Sequence, residues 1–514
     1  MDQERKAGRW IILGVIILAL IALGGLAYKH FISPAVQKMQ AKEKLAERFR
    51  GDALRFGTDW FAGYAVLRSP YYLDLLAQKT IHLVIEDEPD YKKRMEKLAS
   101  GELHMAVFTI DTELSVGSQL GNFPGTIVLV IDESVGADGI VAYKTAVPNV
   151  QALNRPDAKI VLFKDTPNET LARHMISGML PALTGDSWIV GMENEEQVYK
   201  EFLRTPKTAL RAFALWEPWL SKALENPDAI LIYDTSQATS TVVDVWIVSS
   251  AYYKAEPVKV RQTIEAYLQA LHHYESQSGG MVQLVIDDGK QSGDNLSEKQ
   301  ARQIVAKIRW KNTMENYAHF GLLNLSESGG LQRLDSMIAS IARMLVKTGK
   351  ISRHPMAGRE HELYDDQILS TLKRENFHPG DSVQHDGVRG VKELQALTPE
   401  QWNTLLVVGN LDARSIDFLR SQSSLTVQGK RDVEEVAEQL KAWPSYYLTV
   451  VGNTRKEGDP EANRVLAKAR ADTVVEKMIQ LGISKNRVRG IASTENQNNP
   501  QGQSVTFKLL RQSY

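Results

Sequence analysis

The sequence predicts an α/β protein in which two unlike folded domains follow one apolar N-terminal segment. Three observations carry this. Strand-like and helix-like runs alternate from about residue 53 to 345, residues 404–514 hold a separate α+β pattern, and residues 10–28 contain no charged side chain. At 514 residues the chain is also too long for a single hydrophobic core.

Composition narrows the class. A hydrophobic content of 43% with 24% charged residues is that of a folded globular chain. The net charge of −1 supplies no general attraction to nucleic acid, which is not an expected partner. The absence of cysteine excludes disulfides, thiolate metal sites, a cysteine nucleophile and a lipidated-cysteine anchor.

The first element runs from Trp10 to Tyr28 and is almost wholly Ile, Leu, Val, Ala and Gly. About 20 such residues span the hydrocarbon of a bilayer as a helix. Arg5, Lys6 and Arg9 precede it and hold that end in the cytoplasm, so the rest of the chain is expected in the periplasm. Gly25-Leu26-Ala27 would pass as a signal-peptide cleavage site, but the apolar run exceeds the roughly 7–15 residues of a signal core. A single-pass inner-membrane anchor is the reading, followed by a Lys/Glu-rich stalk to residue 50.

In the middle region the strand candidates are Leu54–Gly57, Ile81–Ile85, Met105–Phe108, Thr126–Ile131, Ile160–Phe163, Ile230–Tyr233 and Val242–Val248. Amphipathic stretches such as Asp90–Ser100, Glu169–Leu180 and Pro257–Ser276 lie between them. This alternation predicts helices layered on a mainly parallel sheet, with ligands expected beyond the strands' carboxyl ends. Polar residues gather there: Thr58-Asp59-Trp60, Thr109 and Asp111, Asp132-Glu133-Ser134, Asp165-Thr166, and the turn Trp216-Glu217-Pro218-Trp219. Asp111 and Asp165 also suit helix N-caps.

The run Phe56-Gly57-Thr58-Asp59-Trp60-Phe61-Ala62-Gly63-Tyr64 resembles the start of periplasmic solute-binding proteins of the nitrate, sulfonate and taurine type. Further marks follow in order: Asp132 to Gly139, Trp216-Glu217-Pro218-Trp219, and Trp310 to Tyr317 with His319-Phe320-Gly321. The resemblance implies a type II-like fold of two α/β lobes closing on a small-molecule solute by a hinge, with an ABC permease as the implied partner. It places Asp59, Trp60, Thr109, Asp132, Ser134, Asp165 and Thr166 at the cleft, with Glu217 and Asp244 facing them. Asp59, Asp111, Asp132, Glu133 and Asp138 make this cleft rich in carboxylates. Either lysines and helix N-termini outweigh them for an anionic ligand, or the ligand has a cationic or hydroxyl-bearing part.

Residues 346–403 read as a polar connector. His354, His361, His378 and His385 have no tight metal-ligand spacing and are expected as surface histidines.

The last region has strand candidates Ser415–Leu419, Tyr446–Val451, Arg487–Ile491 and Ser504–Leu510, with helices over Lys430–Trp443 and Ala462–Leu481. Ile416-Asp417-Phe418, Val450 to Arg455, and Asn463 through Leu466 to Arg470-Ala471 resemble the peptidoglycan-associating domain of the outer-membrane protein A family. The resemblance implies that Asn463 and Arg470 contact the wall's stem peptide. Arg470 suits bidentate carboxylate recognition. Arg455 stands where the family has aspartate and Asn453 where it has histidine, which leaves wall binding and partner binding both open.

The expected organisation is therefore a cytoplasmic tail (1–9), transmembrane helix (10–28), stalk (29–50), solute-binding domain (51–345), connector (346–403) and outer-membrane protein A-like domain (404–514). No Walker loop, HExxH or GxSxG motif occurs, so binding rather than catalysis is expected, with no cofactor and no metal. A non-transport envelope scaffold is the alternative reading.

Overall fold

The computed structural model describes residues 53–514 except 238–239, 294, 325–326, 378, 381–392, 412, 414, 442, 454–458, 494–504 and 513–514. The expected membrane helix and stalk lie outside the described residues. Among those described, no helix is long and apolar enough to cross a membrane.

In chain order the strands of the middle region are β1 (Leu54–Thr58), β2 (Leu83–Asp87), β3 (Met105–Thr109), β4 (Gly125–Ser134), β5 (Asp138–Tyr143), β6 (Lys159–Phe163), β7 (Ile189–Met192), β8 (Arg211–Trp216), β9 (Ala229–Asp234), β10 (Val243–Ser249) and β11 (Ile308–Trp310). The helices that matter for the site are α1 (Tyr91–Ser100), α2 (Ile110–Leu120), α3 (Pro167–Met179), α4 (Pro257–Ser276), α5 (Gly280–Ser292) and α6 (Leu334–Lys347). The strands form two sheets, β11-β4-β10-β3-β1-β2 and β7-β6-β8-β5-β9. Each sheet is the centre of one lobe.

Both sheets are mixed, which corrects the expectation of a mainly parallel arrangement. β1 pairs in parallel with β2 and β3, but β10 runs antiparallel to β3 and β4. In the second lobe β5 runs antiparallel to β8 and β9. The reason lies in the path of the chain. It leaves the first lobe after β4 and returns into β10, so two adjacent strands must point in opposite directions. The outgoing link (135–137) and the returning link (235–242) are stitched together at Thr235. Its Oγ1 lies 2.8 Å from Ser134 Oγ and accepts the Gly136 N–H at 2.7 Å. Gly136 has φ +108°, a backbone geometry that favours glycine.

The first lobe is built around Trp246 of β10, which meets Phe56 edge-on at 4.8 Å and Tyr267 of α4 at 5.7 Å. Residues beyond α6 are part of this core: Ile351, Leu363, Leu369 and Leu372 are buried in it, and Tyr364 bridges to Ile127 of β4. His354 has a structural role there. Its Nδ1 accepts the Met356 and Ala357 N–H groups at 3.2 and 2.7 Å, and its Nε2 lies 3.3 Å from Glu360. Among the described residues no cluster of side chains suits a metal ion; His378 and His385 lie outside them.

The C-terminal sheet has the order β12-β15-β13-β14, from β12 (Leu406–Asn410), β13 (Tyr447–Gly452), β14 (Val488–Ala492) and β15 (Val505–Arg511). The helices α7 (Val427–Lys441) and α8 (Pro460–Gln480) complete the domain. α8 begins two residues before the expected Ala462: Pro460 takes its first position and the Asp459 carboxylate accepts the Glu461 N–H. β13 and α8 pack so closely that a Cβ on Gly452 would lie 1.9 Å from the Ala467 carbonyl oxygen. The strand expected over Ser415–Leu419 is corrected. Residues 417–426 fold back on themselves, with Leu419 N–H donating to Ser424 O and Thr426 N–H to Asp417 O. Only a Phe418–Leu425 bridge forms there, and β12 takes the edge position beside β15 instead.

This domain does not stand apart from the lobes. Its core (Val433, Leu440, Leu448, Val474) is continuous with that of the second lobe through Leu171, Met175 and Met179 of α3. Arg343 of α6 pairs with Glu435 of α7 at 3.0 Å, a contact to the first lobe.

Candidate functional site

A cavity of about 330 Å³ lies between the lobes. Strand ends shape it. Asp59 and Trp60 follow β1, Thr109 ends β3 and Asp244 opens β10. From the opposite lobe come Asp138 at the start of β5, Thr166 after β6 and Trp216 to Trp219 after β8. β1, β3, β6 and β8 leave their sheets at this edge and β5 and β10 enter theirs here, so residues distant in sequence converge. Tyr91 of α1 and Asp288 of α5 close the sides, and Phe61, Tyr64 and Phe163 add aromatic wall.

The carboxylates at the wall fall into two groups. Three have a basic partner behind them. Asp59 pairs with Arg94 at 2.8 Å, and the fully buried Arg94 also donates to the Glu88 and Val107 carbonyls. Asp288 takes a bidentate contact from Arg68, Nε and Nη2 each at 2.7 Å. Glu217 is paired with Lys307, which links the two lobes, and accepts Ser221 Oγ–H at 2.9 Å.

The second group has no such partner. Asp138 is 4% exposed. Burial pushes its carboxyl up to about 6, opposed by a hydrogen bond from Ser134 and reinforced by the charges of Asp111 and Glu217. Asp244 accepts a hydrogen bond from Tyr64 and lies opposite Asp132 in the β4–β10 register. Burial, then the Asp132 charge, raises the Asp244 pKa, and burial pushes Asp132 up to about 7. Two carboxyls this close and this dry share a proton, because both cannot be ionised. Neither oxygen of Asp132 accepts a hydrogen bond from an N–H or hydroxyl group.

Of the cleft residues expected from sequence, Asp59, Trp60, Thr109, Thr166, Glu217 and Asp244 line the cavity together. Three do not. Asp132 sits behind Asp244 and against Gly63, where an added Cβ would lie 2.4 Å from its Oδ2. Ser134 is turned into the link between the lobes, bonded to Thr235. Asp165 points outward at φ +60°, paired with Lys350, because the chain must turn sharply there to start α3. Asp111 and Asp165 are not the N-caps: Thr109 and Thr166 hold those positions. Glu133 is buried against Lys311. Burial works to raise its pKa, but that lysine outweighs it and holds the carboxyl below the usual range.

Sequence reasoning missed Tyr91, Phe163 and Asp288 as wall residues. Nothing local marks them, since Asp288 comes from the body of α5 and Tyr91 from the first turn of α1. In the C-terminal domain, Asn463 and Arg470 lie on α8 at the expected helical spacing. Arg470 donates from Nε to the Gln422 carbonyl at 3.0 Å and lies 5.0 Å from the Phe418 ring centroid. Thr454 and Arg455 lie outside the described residues.

Two mixed-sheet lobes joined by paired links, with a polar and aromatic cavity between them, define a two-lobed α/β fold with a central cleft. The C-terminal part is assigned by sequence: the OmpA family model matches residues 417–506. The peptidoglycan-associated lipoprotein of Legionella pneumophila is 32% identical over 75 residues, 15% of this chain. The matched part is 43% of that relative, so the chain spans less than half of its length. Among solved structures, the periplasmic aliphatic sulphonate binding protein of Escherichia coli is similar at 14% identity and a TM-score of 0.45, over 68% of this chain and 96% of that one. The periplasmic nitrate-binding protein of Synechocystis is similar at 13% identity and a TM-score of 0.46, over 66% of this chain and 93% of that one.

Proposed function

We propose that the protein is an extracytoplasmic solute-binding protein, held to the inner membrane by residues 10–28, which captures a small polar ligand between its two lobes. It serves an ABC-type importer or reports occupancy to a partner, and its OmpA-type domain contacts peptidoglycan or another envelope protein. One observation carries this reading: the cavity is walled by side chains from both lobes, among them Asp59 and Thr109 from one and Asp138 and Thr166 from the other. A ligand touching both walls favours the closed arrangement over the open one by the difference in its contacts. The volume, about 330 Å³, suits a small solute.

A second reading is a scaffold in which the lobes no longer close on a ligand. The packing of the OmpA-type domain on α3 and on Arg343 favours it, because both lobes are tied to a third body. Thermal melting of the detergent-solubilised full chain against a panel of small solutes separates the two. A ligand at about 100 times its Kd stabilises the folded state by about 2.7 kcal/mol, a readily measured shift. A flat response to the whole panel would favour the scaffold.

A further inference from the structure

We propose that the cleft takes a cationic ligand, a protonated or quaternary amine, and disfavours simple oxyanions. The inference rests on the solute-capture reading and adds the ligand's charge class to it. Among the described residues that line the cavity there is no lysine, arginine or histidine, while five are Asp or Glu. The three paired carboxylates, Asp59, Asp288 and Glu217, keep Arg94, Arg68 and Lys307 on their far sides, so those cations neutralise the wall without being presented to a ligand. Asp138 and Asp244 have no such counter-ion. They stand on opposite lobes, each more than nine-tenths buried, and Asp244 is backed by Asp132, whose oxygens take no N–H or hydroxyl donor. Buried charge without a partner is unfavourable, and a cation placed between the lobes relieves it from both sides at once.

The rest of the wall suits the same chemistry. Trp60, Tyr91, Trp216 and Trp219 also line the cavity, and ring faces attract cations: Arg68 lies 4.9 Å from the Trp60 centroid, Arg94 4.7 Å from that of Tyr91 and Lys222 4.0 Å from that of Trp219. Trp60 is 42% exposed although it lines the cavity, an indole held at the entrance without being buried in a core. An oxyanion would meet carboxylates and ring faces, both repulsive to it. Its attraction would come from the N-terminus of α3 and, at the rim, from Arg68 and Lys222, which lie over the Trp60 and Trp219 rings.

The test is a titration of the full chain, in detergent and at constant ionic strength, with tetramethylammonium, choline and butylammonium, and separately with nitrate and ethanesulfonate. Melting temperature and tryptophan fluorescence are followed together. A saturable response to at least one ammonium ion, with none to the anions, is expected. Asp138→Asn should weaken that binding by about tenfold or more, as for a lost charge-assisted contact. Trp60→Leu, at a partly exposed position, should weaken it by about fivefold. Saturable binding of nitrate or ethanesulfonate with silent ammonium ions would overturn the charge assignment and leave solute capture standing. Silence towards both groups would overturn the capture reading itself, and the inference with it.

Discussion

The indole of Trp443 stacks on the imidazole of His174, with ring centroids 4.2 Å apart and planes inclined by 28°. The two residues belong to different domains. His174 is on α3, whose first turn borders the cleft at Thr166 and Pro167, and Trp443 follows α7 of the OmpA-type domain. The same helix therefore borders the cleft at one end and seats the C-terminal domain at the other.

Trp443→Ala should loosen this seat. Trp443 is 8% exposed and its ring also packs against Gly178, so truncation leaves a cavity between the domains. The expected loss is about 3–5 kcal/mol for a buried tryptophan. Chemical denaturation should show it, with the C-terminal domain becoming protease-sensitive first. Unchanged midpoints would mean that the docking contributes little in solution.

His174 makes this junction acid-sensitive. Burial pushes its pKa down to about 3, against 6.5 for a free imidazole, and its Nδ1 lies 2.9 Å from the Tyr233 hydroxyl. Between those values the unfolded chain binds the proton and the folded one does not. The contribution is therefore complete above about pH 6.5 and is lost as pH falls towards about 3. Comparing melting temperatures of the native chain and His174→Gln across that range isolates it. The native chain should lose more stability on acidification than the variant.

Protonation of the cleft carboxyls acts on ligand affinity. Asp138 at the wall and Asp132 behind Asp244 are raised to about 6 and about 7, so protonation removes negative charge at and just behind the wall as pH falls through that window. Affinity for an ammonium ligand should drop from pH 8 to pH 5 by about tenfold or more, the effect of losing one charge-assisted contact. Isothermal titration of tetramethylammonium at a series of pH values would show this. An affinity independent of pH would place the bound charge away from Asp138.

Arg94 should be one of the least replaceable side chains of the first lobe. It is fully buried, and its donors go to Asp59, Glu88 O and Val107 O. Arg94→Met leaves the Asp59 carboxylate without its counter-ion and should cost about 3–5 kcal/mol. Adding Asp59→Asn to that variant should recover part of the loss, which urea denaturation of the single and double variants would measure.

For the OmpA-type domain, Arg470→Gln should abolish retention on isolated peptidoglycan if the α8 face binds wall carboxylates. Arg470→Lys keeps the charge but loses the planar fork and should retain only part of the binding. Equal retention by all three chains in a sedimentation assay would place wall binding away from Arg470, and retention of none of them would favour a protein partner.

Legibility differed from element to element. The strands β1, β3 and β10 and the helix α4 were readable because each carries an apolar run or stripe that only one secondary structure can bury. β5, β7 and β8 were not assigned. β7 is half-exposed and short, while β5 starts at a charged residue inside what reads as a link. Asp59, Trp60 and Glu217 could be placed at the cleft because they follow strands directly or sit in a distinctive turn. Asp165 follows a strand as well, yet its backbone turns the carboxylate away from the cavity towards Lys350. Position after a strand locates a residue at the correct edge of a sheet, but the local dihedral angles decide which way its side chain points.

By itself the sequence determined the α/β character of the middle region, the separate α+β C-terminal domain and the carboxylate-rich strand ends, because periodicity and residue type are local properties. Tertiary structure alone decided which of those carboxylates are neutralised. Arg94, Arg68 and Lys307 lie 35, 220 and 90 positions from the acids they pair with, and no local pattern links them. Asp138 and Asp244 are left without a counter-ion because the two lobes bring them to the same cavity and place no cationic side chain among its described lining residues. Charge compensation depends on distance in space, and only the folded chain sets that distance.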